Sequence, residues 1–381
     1  MKIIFFIRTL YLCTSSWIWS LIHKVYENKY FINYDKKINF NVLVIQLGQI
    51  GDFVLSTPLL IALKDYYGEN INLSILGDSI NENLFKNNQC LDDVFIYNSK
   101  KYTKTSSLLH KKFPIKSLDQ KSIDYVIWLR GDAKTFIWIL KRRIPMKSIT
   151  KEPNPLRLNW LPLVTKRSMK KDNKHFIESL DKIDNNVNPS LFEHKSVLNY
   201  DIVNDTNIRK DIFVHVSSGN VLRRWPEEKF TKLLKLLLNL DKKIFISIIG
   251  SKSDNQVAMN ILSSDELFSY SDRISNLCGK IGLSELENLF TTGELFIGFD
   301  SGPMHIASLS GIPIVALMGP QSPQLFGPWG NQEKKVIYKD YYCSPCWQRS
   351  CLHTNSGPGA CILDIQPEEV FNEARTLMGR M

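Results

Sequence analysis

The sequence is poor in the residues that mark several large protein classes. Seven cysteines in 381 residues are too sparse for a scaffold built on disulfides. Nineteen glycines and sixteen prolines are too few for a collagen-like or low-complexity chain. Long apolar runs are scarce as well. The most apolar stretch, IIFFIRTLYLCTSSWIWSLI (3–22), is broken by Arg8 and by Thr14-Ser15-Ser16. That makes a poor spanning helix, and no small-residue cleavage site follows it as a secretory signal requires. Asp-x-Asp pairs at strand ends, which hold metal-bound sugar diphosphates, are missing. Asp92-Asp93 stands ahead of a strand and reads as solvated.

What is present describes a globular protein. Apolar residues make up 44% and charged residues 23%, and this length points to two domains. The net charge of +10 is uneven: residues 1–200 carry +12 and residues 201–381 carry −2. Within the first half, 101–182 alone carries +13. Such a surface suits an anionic partner, whether nucleic acid, membrane or phosphorylated glycan. Nucleic acid fits poorly, because the Lys-rich stretch 101–122 has only Tyr102 and Phe113 as aromatics. Tyr11, Trp17 and Trp19, followed by His23, Lys24, Lys29, Lys36 and Lys37, suit a helix lying in a membrane interface. The expectation is a membrane-associating segment over 1–39.

From residue 40 the pattern is α/β. NVLVIQL (41–47), INLSILG (71–77), LDDVFIY (91–97) and IDYVIWL (123–129) read as strands buried on both faces, and 52–64 has helical spacing. A polar, proline-bearing stretch, 147–195, is the candidate linker. A second series follows, with strands at 211–217, 243–250, 294–300 and 312–319. Helices are expected over 226–240 and over 283–293, where Ser284 and Glu287 have the spacing of a capping box. Strands alternating with helices imply parallel sheets.

Three strand-to-helix turns carry candidate chemistry. The first, Gln46-Leu47-Gly48-Gln49-Ile50-Gly51-Asp52, lets a backbone approach a ligand and places a carboxylate at a helix start. It holds two of the three glycines of a dinucleotide fingerprint, which weighs against a Rossmann oxidoreductase or epimerase. The second runs from His215 through Ser217, Ser218 and Gly219 to Arg223-Arg224-Trp225-Pro226-Glu227, with hydroxyls and two guanidinium groups suited to a diphosphate. The third, Asp300-Ser301-Gly302-Pro303-Met304-His305, opens a helix beyond a strand's carboxyl end, where open α/β sheets bind ligands.

Together, in this order, the three turns resemble glycosyltransferase family 9, the heptosyltransferases that extend lipopolysaccharide cores. The resemblance covers residues 40–370. It includes LGQIGDFVLSTP (47–58), Arg223 to Glu227, Asp300 to His305, Gly319-Pro320-Gln321-Ser322-Pro323 and Leu129-Arg130-Gly131-Asp132. It implies a GT-B fold: two Rossmann-like domains facing each other across a cleft. The acceptor domain would be 40–195, and the nucleotide-sugar domain 196–381. It implies inverting, metal-independent transfer of a sugar, heptose first, from ADP-heptose to an anionic glycolipid acceptor at the inner face of the cytoplasmic membrane, with no nucleic-acid partner. Asp52 would be the base. Ser217, Ser218, Gly219, Arg223, Arg224, Asp300, Ser301, Gly302 and His305 would hold the donor. Gly48, Gly51, Arg130 and Asp132 would line the acceptor side. A member that keeps the fold as an inactive scaffold is the alternative. One departure is Lys252, which stands near the place where users of ADP-heptose carry an acid for the ribose; Asp254 is two residues on.

Cys343, Cys346, Cys351 and Cys361 gather four of the seven cysteines, starting with a CxxC pair. Either they bind a structural Zn²⁺ or they are packing thiols in a loop. The four-cysteine tail also resembles that of many family members.

Overall fold

The computed structural model describes residues 40–98, 115–148, 211–219, 221–346, 351 and 359–380. The segment 3–22 and nearly all of the expected linker lie outside the described residues. Among the described residues no helix is long and apolar enough to cross a membrane. The chain divides into two compact units, described over 40–148 and 211–380.

The first unit alternates β1 (Phe40–Gln46), α1 (Ile50–Val54), α2 (Thr57–Tyr67), β2 (Ile71–Asp78), α3 (Glu82–Lys86), β3 (Asp93–Tyr97), α4 (Lys116–Gln120), β4 (Tyr125–Arg130), α5 (Ala133–Arg142) and β5 (Met146–Ser148). The strands order as β3-β2-β1-β4-β5, all parallel. This is a doubly wound sheet whose order reverses between β1 and β4, which puts the switch point there. Leu43, Ile45, Val126 and Trp128 of the central strands are buried with Phe136 and Ile139 of α5 in one core. Burial on both faces is what lets β1 and β4 read as continuous apolar runs.

The single helix expected over 52–64 is two helices. Pro58 has no N–H to give the Val54 carbonyl and would clash with it. The hydroxyls of Ser56 and Thr57 turn back onto the carbonyls of Phe53 and Val54, each at 2.7 Å, and close α1 there. Asp92 and Asp93 are not merely solvated. Asp92 Oδ2 accepts from Leu73 N at 2.6 Å and from Lys64 Nζ at 2.7 Å, and Asp93 pairs with Lys121.

The second unit runs β6 (Asp211–His215), α6 (Glu227–Leu240), β7 (Phe245–Ile249), α7 (Asn255–Leu262), β8 (Ile274–Asn276), α8 (Leu283–Thr291), β9 (Leu295–Phe299), α9 (Gly302–Ser310), β10 (Ile314–Met318), α10 (Pro323–Phe326), β11 (Lys334–Tyr338), α11 (Ala360–Leu363) and α12 (Pro367–Leu377). Its order, β11-β10-β9-β6-β7-β8, is again parallel throughout and reverses between β6 and β9. The amphipathic face of α6 buries Phe230, Leu233, Leu234, Leu237 and Leu238, the 3–4 spacing of a core-facing helix. Ile362, Ile365, Val370 and Ala374 join the same core, so the tail is part of this unit. The cap of α8 differs from the expected one. Gly282 is the cap residue and its N–H donates to Glu285 Oε2 at 2.7 Å, whereas Glu287 is buried.

Candidate active site

In each unit the candidate residues sit where the strand order reverses, at the carboxyl ends of the two strands flanking the switch point. In the first unit these ends are tied together: Leu47 N donates to Arg130 O at 2.7 Å. Gln46 is buried at the end of β1 and organises the turn. Its amide oxygen accepts from Gly48 N at 3.1 Å, and its amide nitrogen donates to Asp52 O at 3.1 Å. Gly48 is required by close approach, since a Cβ there would stand 2.5–2.6 Å from atoms of the Asp52 side chain. Gly51 lies in α1 and gives its carbonyl to Leu55 N at 2.9 Å.

Asp52 is therefore held in one orientation. Its Oδ2 accepts from Gln49 N at 2.7 Å and pairs with Arg130 Nη1. Its Oδ1 has no partner among the described residues. The side chain remains 21% exposed, and that of Arg130 43%. Asp132 is placed differently from the acceptor-lining role expected of it. It is buried, and it caps α5. Its Oδ1 accepts from Thr135 N at 2.9 Å and its Oδ2 from Tyr97 OH at 2.7 Å, so both oxygens are occupied. A polar hollow of about 330 Å³ beside Asn41, Lys64 and Asp92 lies at the other end of this sheet, away from the switch point.

In the second unit Arg223 and Asp300 are joined from opposite sides of the switch point. Arg223 Nη1 meets Asp300 Oδ2 at 2.8 Å and donates to Asp300 O at 2.9 Å. Arg223 Nε is buried without a partner among the described residues. Arg224 is exposed and braces the loop, its Nε donating to Ser218 O at 2.9 Å. Of the two arginines, only Arg223 reaches the switch point. Ser301 is the cap residue of α9 and Gly302 its first residue. His305 is buried, with Nε2 3.6 Å from Asp300 Oδ1 and Nδ1 unpartnered among the described residues. Gly219 is exposed at the tip of the loop.

His215 and Asp254, both named from the sequence, make contacts that the sequence did not reveal. His215, the last residue of β6, is buried and its Nδ1 lies 3.2 Å from Ser301 Oγ. Ser301 Oγ donates to Phe299 O at 3.0 Å, so His215 carries its proton on Nδ1 and donates to Ser301. Asp254 is likewise engaged: its Oδ2 accepts from Ser251 N at 2.7 Å and Ser251 Oγ at 2.6 Å, and the Ser217 hydroxyl also donates to this carboxylate. Burial works to raise Asp254, but these hydrogen bonds outweigh it and hold the carboxyl below its usual value. An acid so occupied makes a poor ribose ligand, and Lys252 is exposed beside it. A polar residue ending an apolar run, as at Gln46 and His215, was the available signal.

Burial pushes His215 down to about 4, against a weaker upward pull from Asp254. An unfolded histidine titrates near pH 6.5. As pH falls from about 6.5 to about 4, the unfolded chain binds a proton that the folded unit refuses. This contribution is complete above pH 6.5, is lost through that window, and changes no further below it. Its size is about 3 kcal/mol. Denaturant titrations should thus show stability falling on acidification through this window, with a slope one proton shallower in His215→Asn. An unchanged slope would mean that His215 is not the neutral group described.

Cys343, Cys346, Cys351 and Cys361 line a single cavity of about 20 Å³ with Leu222, Tyr341 and Gly359. Burial first, and then the other three cysteines, push the Cys361 thiol up to about 11. Among the described residues no three His, Cys, Asp or Glu side chains are grouped to hold a metal. A Zn²⁺ ion held here would have to displace the Cys361 proton; the cluster stands as a cavity lined by four thiols. Cys346 N donates to Pro320 O at 3.1 Å, and a Cβ on Gly359 would lie 3.5 Å from Leu222 O. Leu222, the residue before Arg223, lines the same cavity.

Two doubly wound units with polar turns at both switch points define the GT-B class of glycosyltransferase folds. Solved structures agree. A glycosyltransferase family 9 protein from Veillonella parvula matches with a TM-score of 0.66 at 19% identity, over 92% of this chain and 99% of that one. The ADP-heptose lps heptosyltransferase II of E. coli matches with a TM-score of 0.63 at 19% identity, over 90% and 99%. In sequence, the profile of glycosyltransferase family 9 (heptosyltransferase) matches residues 182–356. Lipooligosaccharide heptosyltransferase 2 of Campylobacter jejuni serotype O:6 is 32% identical over 159 residues, 41% of this chain and 47% of that protein. The chain spans about half the length of the curated relatives it matches. Over residues 182–356 the chain resembles glycosyltransferase family 9.

Proposed function

We propose that the protein transfers heptose from ADP-heptose to a lipopolysaccharide-core acceptor, with inversion and without a catalytic metal. The observation that carries this reading is the placement of one arginine-held carboxylate at each switch point, Asp52 with Arg130 and Asp300 with Arg223. The relatives named above, one of them an ADP-heptose lps heptosyltransferase, suggest the sugar and the nucleotide.

The chemistry divides between the units. Asp52 Oδ1 takes the proton of the acceptor hydroxyl as its oxygen attacks the anomeric carbon. The bond from that carbon to the diphosphate oxygen breaks on the opposite face, so the configuration inverts. Negative charge then grows on the leaving ADP. Arg223 meets it with a guanidinium, and the amides opening α9 meet it with the positive end of a helix. The unpartnered Arg223 Nε is a donor ready for a phosphate oxygen. Ser218, braced by Arg224, and Ser301, oriented by His215, shape the same loop ends. Asp300 holds Arg223 from one side and faces the donor sugar from the other. The +13 segment 101–182 would meet an anionic membrane surface.

Incubation with ADP-heptose and heptose-deficient lipopolysaccharide should yield an acceptor heavier by one heptose, together with ADP, by mass spectrometry. NMR of the product should show the inverted anomer. Stabilisation by NAD alone, with no transfer from any nucleotide sugar, would overturn the reading.

A further inference from the structure

Gln46 is a polar side chain inside the apolar run VLVIQL (42–47), and it is only 1% exposed. Burying an amide there is costly unless both of its ends are hydrogen-bonded. Both are. Oε1 accepts from Gly48 N at 3.1 Å, while Nε2 donates to Asp52 O at 3.1 Å and lies 3.4 Å from Ser56 Oγ. The two ends cannot be exchanged, because Gly48 N only donates and Asp52 O only accepts. Ser56 spends its proton on Phe53 O at 2.7 Å, which leaves a lone pair for Gln46. A second amide arrives from just beyond β2. Asn81 is fully buried, and its Nδ2 donates to Gly48 O at 3.1 Å.

The helix that carries Asp52 cannot hold it alone. α1 has five residues, little more than one turn, and so short a helix has no stability of its own. β1 is fixed by contrast, paired along its length with β2 and β4. From this we infer that Gln46, with Asn81 beside it, is a positioning residue that ties the Gly48–Asp52 turn to the sheet and so aims Asp52 Oδ1 at the acceptor hydroxyl. The inference rests on the proposed base role of Asp52 and adds what holds the base in place. Gln46 fixes the main chain of Asp52 at its carbonyl, while Gln49 N and Arg130 fix the side chain at Oδ2. With both ends pinned, one direction remains for Oδ1. Freeing the carbonyl lets α1 pivot on Gly48, and a shift of about 1 Å in a reacting group can cost about 100-fold in rate. Gln46 itself is too buried to meet the substrate, so its effect passes through Asp52.

The test uses the full chain with Gln46→Met, which keeps the length of the side chain and loses its hydrogen bonds. In the transfer assay kcat should fall about 10- to 100-fold, with KM for donor and acceptor within about twofold of wild type. A double-mutant cycle separates positioning from general damage. Adding Gln46→Met to Asp52→Asn should lower kcat no further, because the group it positions is already gone. Hydrogen exchange reads the turn without any substrate. The amides of Phe53, Leu55 and Ser56, bonded to the carbonyls of Gln49, Gly51 and Phe53, should exchange about tenfold faster in Gln46→Met, and those of β1 and β2 at the wild-type rate. An unchanged kcat, a loss carried by KM, or losses that multiply in the double mutant would each overturn the inference. So would unchanged exchange at the turn, whatever the rates do. Should Gln46→Met not fold, Asn81→Leu, which removes one hydrogen bond rather than three, carries the same tests with a smaller fall in kcat. Faster exchange confined to the turn, in a wild-type protein that transfers from no nucleotide sugar, would fault the transferase reading and leave Gln46 as the anchor of Asp52.

Discussion

Asp52→Asn should abolish most transfer while leaving the fold intact. The expected fall in kcat is about 10²–10⁴-fold, the usual worth of a positioned general base. Asparagine is the demanding substitution here, because its carbonyl can still accept from Gln49 N and keep the short helix α1 capped. What it loses is basicity and the ion pair with Arg130. That pair is partly exposed on both sides, so its loss costs at most about 1 kcal/mol. Melting temperature should move by no more than a few degrees. ADP binding, which the reading places in the other unit, should not change. A purified Asp52→Asn protein retaining a tenth or more of wild-type kcat would remove Asp52 from the base role.

The fold was legible because parallel strands buried on both faces leave unbroken apolar runs, and NVLVIQL and FISII are of that kind. Where the reading slipped, a local competitor had prevailed. Pro58 split the helix after Asp52, and Gly282 took the cap of α8 from Ser284 because Glu285 reaches back to its amide. β11, Lys334–Tyr338, has an edge strand's alternating exposure and no apolar run to announce it. The ends of the motifs were legible as glycine and carboxylate turns, but the pairings were not. Arg130 lies 78 positions from Asp52, and Arg223 lies 77 from Asp300. Nothing local marks such a partnership; the reversal of strand order makes it. The resemblance implied an acceptor role for Asp132, whereas Tyr97, from the far edge of the sheet, occupies one of its carboxylate oxygens.

Arg223→Ala should damage two measurements at once, and their ratio is informative. Under the proposed reading Arg223 stabilises the leaving diphosphate, and removing such a donor lowers kcat about 10²–10³-fold. Its removal also strands Asp300, which is buried with only 10% of its side chain exposed. Deleting one member of a buried pair costs about 3–5 kcal/mol, and the 19% exposure of Arg223 places this case at the lower end. For a unit of this size that is a fall in melting temperature of roughly 6–12 °C. Arg223→Lys keeps the charge beside Asp300 but loses the fork, so it should recover most of the stability and only part of the rate. ADP provides the deciding comparison. At about 100 times its Kd a ligand adds roughly 2.7 kcal/mol, which should raise the wild-type midpoint by several degrees and that of Arg223→Ala much less. If both proteins gain equally from ADP, Arg223 is a structural partner of Asp300 and the diphosphate is held elsewhere. If the gain vanishes in Arg223→Ala and returns in part with lysine, the same guanidinium keeps Asp300 neutralised before the donor arrives and meets the diphosphate afterwards. The open Nε beside a fully engaged Nη1 is the geometry that such a double role requires.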